Sequence, residues 1–431
     1  MKLKKIAVLI AIAGLSGSAF ATNGYFGHGV GVKAKAMGGA SIAYAEDGFG
    51  MAANPATLSM AQNGFSLGAS LFVPDRNLNT SANHPTLPST SQDANEESMF
   101  IIPEFAYVRH GGNGLSYGLV VYGNGGMNVD YGKPMYDNTR DTHATLEQLF
   151  IAPTISWKLN EQHTVGASLN VVYQTFEAGG LGWFGQYTRP ATFNVACAGP
   201  GNPFNYCGDG VNPGNQGKDS AWGLGLKLGW TGKLTKDFTM GAFYQPKTHM
   251  GKFSDYKNLF AENGKFDTPE SYGLGMAFAA TPSTTILFDI VQINYNDIKS
   301  LGNPNNHNAL NTKLGASDGK GFGWDDMTVY KLGISHQLND KTTLRAGYNY
   351  SQQPIAKDQL DFNLLAPAVV EHHLTMGFTY KLDGKSEISG HYMHAFNNDV
   401  KGTPTAMTGT YYIQKLEMSQ DELGVQYSWR F

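Results

Sequence analysis

The sequence predicts an all-β fold, a transmembrane antiparallel β-barrel of about 14 strands preceded by an N-terminal segment that lies in the periplasm or plugs the lumen as a hatch. Three observations predict it. Segments of about ten residues alternate apolar and polar positions from Asn63 onward. The connections between them alternate between long and short. A Gly- and Ala-rich stretch without this alternation precedes the first of them.

The period of two is clearest in the last segment. Leu423, Val425, Tyr427, Trp429 and Phe431 fall on one face, and Gly424, Gln426, Ser428 and Arg430 on the other. Trp222, Leu224, Leu226, Leu228 and Trp230 form a second row with a Trp at each end, the pattern of two aromatic girdles. Leu332, Ile334 and Leu338, and then Leu374, Met376, Phe378 and Tyr380, repeat the sorting. Helical periodicity of 3.6 fits none of these rows.

In chain order, residues 1–21 read as an export signal. Lys2, Lys4 and Lys5 precede an apolar run from Ile6 to Leu15 and a small-residue end at Ala19-Phe20-Ala21. Residues 22–62 read as the hatch, and residues 63–431 as the barrel. Strands are expected to begin near Asn63, Met99, Leu115, Ala144, Thr164, Ser220, Phe238, Thr268, Thr284, Met327, Thr342, Val369, Ser386 and Leu416. Gaps after odd strands are long and polar, about 15 to 45 residues, whereas Gly111–Gly114, Asn339–Lys341 and Asp383–Lys385 are tight turns. An even strand number puts both barrel ends on the short-turn side.

Composition limits the function. The formal net charge of −4 becomes −7 once the signal's three lysines are gone, and no basic block exists, so nucleic acid is not an expected partner. With 53 Gly, 12% aromatic and 15% charged residues among 431, the chain is unlike a soluble enzyme, while alternating strands keep hydropathy low in a barrel. No Gly-x-Ser-x-Gly elbow occurs. His391 and His394, like His372 and His373, fall on opposite strand faces, so no metal cluster, cofactor or catalytic site is expected. Cys197 and Cys207 stand in a Gly/Pro/Asn-rich loop of an exported chain and are expected to form a disulfide.

Inside the hatch, Asn54-Pro55-Ala56 reads as a turn, because Pro fixes its own φ and biases Asn54 away from helix. In the third strand, Gly123-Asn124-Gly125-Gly126 weakens pairing and permits a bulge or bend.

Asn23-Gly24-Tyr25-Phe26, Gly38-Gly39-Ala40, Asp47 and Asn54-Pro55-Ala56, followed by fourteen strands and a terminal Phe431, resemble the FadL-type transporters of the outer membrane, which carry long-chain fatty acids, and their hydrocarbon-carrying relatives. The resemblance covers nearly the whole mature chain. It implies passive uptake of a hydrophobic small molecule held in an apolar lumenal pocket against the hatch. It also implies sideways release through a kinked third strand, at Gly123 to Gly126. The chain departs here from the Pro-aromatic-Gly pattern of that family.

A fatty acid would bring a carboxylate needing a cation, for which Lys227, Lys331, Arg345 and Lys381 are the lumen-facing candidates. Expected partners are the ligand, outer-membrane lipid and lipopolysaccharide, and the barrel assembly machinery, with the chain a monomer. The alternative is an open porin, or an adhesin or phage receptor using the long loops.

Overall fold

A computed structural model describes residues 22–82, 90–135, 140–182, 184–185, 212–305, 313–403, 405–407 and 410–431. The export-signal residues and the Cys197–Cys207 pair lie outside the described residues.

Fourteen long strands among these close into one antiparallel barrel. They are β1 (Gly64–Ala82), β2 (Phe100–His110), β3 (Leu115–Asp130), β4 (His143–Lys158), β5 (His163–Gly179), β6 (Asp219–Lys233) and β7 (Phe238–Gln245), then β8 (Ser271–Thr281), β9 (Thr284–Ile293), β10 (Met327–Gln337), β11 (Thr342–Ser351), β12 (His372–Lys381), β13 (Ser386–Lys401) and β14 (Thr410–Arg430). Each pairs with its neighbours in sequence, and β14 returns to β1 along a seam from Gly64↔Arg430 to Ala82↔Tyr412. Closure at this seam leaves neither β1 nor β14 with a free edge, as a strand in lipid requires. Among the described residues no helix is long and apolar enough to cross a membrane.

The alternation sorts as the sequence predicts. Leu224, Leu332, Met376 and Val425 face outward and are exposed on the isolated chain, whereas Gly424, Gln426 and Ser428 face in. Bilayer lipid covers that outer surface. At the short-turn end, Trp429 meets Phe65 edge-on with ring centroids 5.7 Å apart, and Phe431 lies 6.2 Å from Tyr107.

Three strand starts differ from expectation. Thr268 pairs with Thr248 in a loop bridge, so β8 starts at Ser271. Val369 is buried in the loop before β12, its backbone turned by the Pro367 carbonyl, and the strand waits until His372. β14 begins at Thr410 instead of Leu416, because β1 continues alongside it beyond the apolar rows. β13 runs to Lys401, and residues 405–407 pair with the first residues of β14.

Residues 22–62 contribute no long strand. They form two short helices, α1 (Val32–Lys35) and α2 (Gly50–Ala53), and a 3₁₀ turn at Pro55–Met60. Almost all of this segment is buried against inward-facing residues of the barrel. A large apolar cluster fills the outer half of the molecule. It joins Tyr25 to Met127, Leu146 and Phe176 from the wall and to Phe260, Tyr295 and Trp324 from the connections.

Candidate functional site

The wall is interrupted on one side. The β2–β3 ladder runs from His110↔Ser116 only to Phe105↔Val121. Beyond that point β2 keeps its pairing with β1 as far as Phe72↔Phe100, while β3 turns away with β4. The β3–β4 register shifts between Gly123 and Gly125, leaving Asn124 as the extra residue. Two glycines flanking a polar residue give the strand little side-chain packing to resist such a bend. The four residues singled out in the sequence, Gly123, Asn124, Gly125 and Gly126, therefore sit at the break.

The outer end of the break is drawn together again. Asn95 pairs with Asp130, and the Arg76 guanidinium donates to the Asn128 side chain at 2.6 Å and to the Glu97 carbonyl at 2.5 Å. What remains is a window in the hydrogen-bond ladder, between Phe100–Glu104 and Tyr122–Val129.

The N-terminal segment stands behind this window. Phe26 pairs antiparallel with Gly125: Gly27 N–H donates to the Asn124 carbonyl at 3.0 Å, and Gly126 N–H donates to the Tyr25 carbonyl at 2.9 Å. Gly125 has to be glycine here, since a Cβ would lie 2.0 Å from the Tyr25 carbonyl oxygen. The Asn23-Gly24-Tyr25-Phe26 signature makes the turn that presents this edge. Asn23 and Phe26 exchange backbone bonds of 3.0 and 3.3 Å, and Gly24 takes φ +66° with the Tyr295 ring where a side chain would be. Tyr25 is fully buried 5.5 Å from the Tyr295 ring and 5.8 Å from Phe266.

An apolar cleft with about 30 Å³ of free volume opens beside the same strand. Met127 of β3 lines it with Leu146, Phe176, Phe260, Phe322 and Phe362, and Lys320 sits at its edge. Burial lowers the Lys320 pKa, opposed by Asp361.

The other signature residues fix the segment to the wall. Asn54 accepts from Ala56 N–H and donates to the carbonyls of Ile42 (2.7 Å) and Trp230 (2.9 Å). Pro55 then starts the 3₁₀ turn with Asn54 extended, as its missing N–H and fixed φ favour. Gly229 and Gly166 leave room for this backbone, a Cβ on them falling 1.9 Å from Asn54 Oδ1 and 2.5 Å from the Pro55 carbonyl carbon.

Three of the four lumen cations are engaged by this segment. Lys227 donates to the Ala52 carbonyl at 2.6 Å, Lys331 to the His28 carbonyl at 2.9 Å, and Arg345 grips both Glu46 oxygens. Burial pushes the Glu46 carboxyl up, but Arg345, joined by Lys33 and Ser335, holds the pKa at about 2. Lys381 lies apart at the end of β12, half-buried. No local spacing signals that Lys33 reaches Glu387 at 2.5 Å, or that Lys35 reaches Glu422 at 2.8 Å and Glu104 at 3.1 Å. Burial lowers the Lys35 pKa, but the two carboxylates overcome this and raise it.

Where the sequence spacing leads to the expectation of no metal-type cluster, the fold brings three possible ligands together from distant positions. His28 Nδ1 lies 3.8 Å from Glu422 and His391 Nε2 lies 3.4 Å from it, all three side chains being buried. No local spacing could reveal residues brought together only when the N-terminal segment docks on β13 and β14.

Residues 9–431 match the family model described as outer membrane protein transport protein (OMPP1/FadL/TodX). Among solved structures, the Pseudomonas putida toluene transporter TodX is similar at 20% identity and a TM-score of 0.66, over 95% of this chain and 100% of that one. The Ralstonia pickettii toluene transporter TbuX is similar at 20% identity and a TM-score of 0.63, over 94% and 99%. A Pseudomonas aeruginosa FadL homologue gives 13% identity and a TM-score of 0.68, over 95% and 100%. A search of curated proteins by sequence found no match.

Proposed function

Because this chain belongs to the OMPP1/FadL/TodX family of outer-membrane transport proteins, we propose that its broken third strand is the exit for a hydrophobic small molecule. The chain resides in the outer membrane of a Gram-negative cell. In this reading residues 22–62 are a hatch. The solute enters the apolar space between the long connections and the hatch, passes the cleft beside Met127, and leaves sideways through the window at Gly123 to Gly126. Sideways release suits an apolar solute, since moving from lumen to bilayer avoids the cost of exposing it to water.

The observation that carries this reading is the pairing of Phe26 with Gly125. A gap in a lipid-facing wall leaves backbone groups without partners, and here the hatch edge supplies two of them. Withdrawal of that edge would open the window without unfolding the barrel. An open diffusion porin fits less well, because a clear lumen is incompatible with forty residues packed against its walls. Lys227, Lys331 and Arg345 retain the hatch in this reading, and the apolar lining of the cleft favours an uncharged solute. The toluene transporters among the similar structures make aromatic hydrocarbons the first compounds to test.

The test is displacement of that edge. A Cβ at residue 125 would meet the Tyr25 carbonyl oxygen, so Gly125→Ala pushes the edge away from β3. Cells carrying the folded variant should take up labelled toluene faster than wild type. Unchanged uptake in a variant whose edge is displaced, shown by protease cleavage within residues 22–30, would place the route elsewhere.

A further inference from the structure

We propose that His28, His391 and Glu422 form a buried site for a divalent late first-row transition metal, with Zn²⁺ as its simplest occupant, joining the N-terminal segment to β13 and β14. Two imidazoles and a carboxylate are a recurrent zinc ligand set. At ordinary zinc bond lengths, tetrahedral ligand atoms lie about 3.3 Å apart. The two separations from Glu422 are 3.8 and 3.4 Å, and one donor atom from each of the three residues falls within 4.8 Å of the others. The His28 separation is measured to Glu422 Oε2 and the His391 separation to Oε1, so a rotation of these side chains together with a contraction would complete the coordination on Oε2, with a water as fourth ligand.

Two further observations point to an absent cation. Both His391 nitrogens and Glu422 Oε2 are buried without a hydrogen bond, although buried polar atoms seldom lack one. The two buried carboxylates Glu104 and Glu422 also share a single lysine, Lys35 Nζ lying 3.1 and 2.8 Å from them. An ion held by Glu422 Oε2 would leave Oε1 to Lys35 Nζ, which donates to it at 2.8 Å. Gly424 leaves room for the His391 ring, which a side chain there would strike at 2.3 Å, and so keeps that imidazole beside Glu422.

The proposal does not depend on the transport route. Its test uses the full-length barrel in detergent, stripped with chelator, dialysed and then titrated with Zn²⁺ alone. Bound zinc is read by elemental analysis, and stability by the temperature at which the folded band disappears on a gel. Wild-type protein should take up one zinc per chain and shift upward by several degrees. His394→Ala, which removes an exposed histidine paired with Asp421, should behave the same. His28→Ala should lose both the zinc and the shift while remaining a folded barrel, because residue 28 lies outside the strand ladders; His391→Gln provides the same loss from the wall side. Absence of zinc uptake by wild-type protein overturns the proposal. So does full uptake by folded His28→Ala, which would move the metal to a surface site.

Discussion

Gly126 N–H donates to the carbonyl of Tyr25 in the stretch of β3 where β2 offers no partner. The N-terminal segment thus acts locally as a surrogate strand. Replacing Gly125 by Val puts a side chain where the Tyr25 oxygen lies, so the edge has to leave. Gly125→Val is expected to fold as a barrel yet to raise conductance in planar bilayers several-fold and to expose residues 22–30 to protease. A variant as closed as wild type would show that the edge tolerates displacement.

The Glu46–Arg345 pair predicts a pH dependence. Because the folded carboxyl has a pKa of about 2 against an ordinary 4.5, its stabilisation is fully present above pH 4.5 and is lost as pH falls through about 2. Hydrogen exchange of residues 44–49 should therefore accelerate across that window. Glu46→Gln should abolish this step and leave Arg345 unpaired, at a local cost of about 3 kcal/mol. An unaltered acid profile in Glu46→Gln would assign the step to another carboxylate.

Asn54→Ala removes a cap and two donated bonds at once, stranding the carbonyls of Ile42 and Trp230. The expected loss is about 2 kcal/mol of hatch attachment. It should appear as faster exchange in residues 50–60 with the strand amides unchanged.

Deleting Trp429–Phe431 removes the Phe65↔Trp429 and Gly64↔Arg430 pairs and the aromatic contacts to Phe65 and Tyr107. The amount of heat-modifiable folded protein in the outer membrane should fall sharply. Normal levels would mean that the seam closes without its short-turn end.

The barrel was legible in the sequence because lipid on one side and a polar interior on the other impose a strict period of two, visible from Trp222 to Trp230 without any partner strand. The kink was legible for a related reason, as Gly123, Gly125 and Gly126 interrupt that pattern. Starts such as Thr268 and Val369 misled because loop residues packed on an apolar cluster resemble strand residues in composition. Lys227, Lys331 and Arg345 were readable as inward-facing, but their partners were not. Ala52, His28 and Glu46 lie in a segment without periodicity, and only docking decides which cation each one meets.

The seam between β1 and β14 carries a kinetic consequence. Its 19 register pairs join residues hundreds of positions apart, so the ladder cannot begin to form until both ends of the barrel sequence are present. Contacts of such long range make insertion slow and leave transient edges that a catalyst of assembly would have to shield. Once shut, the cylinder loses its first strand only by breaking a whole ladder within an apolar medium. Its persistence is then governed by the height of an unfolding barrier rather than by a balance of populations.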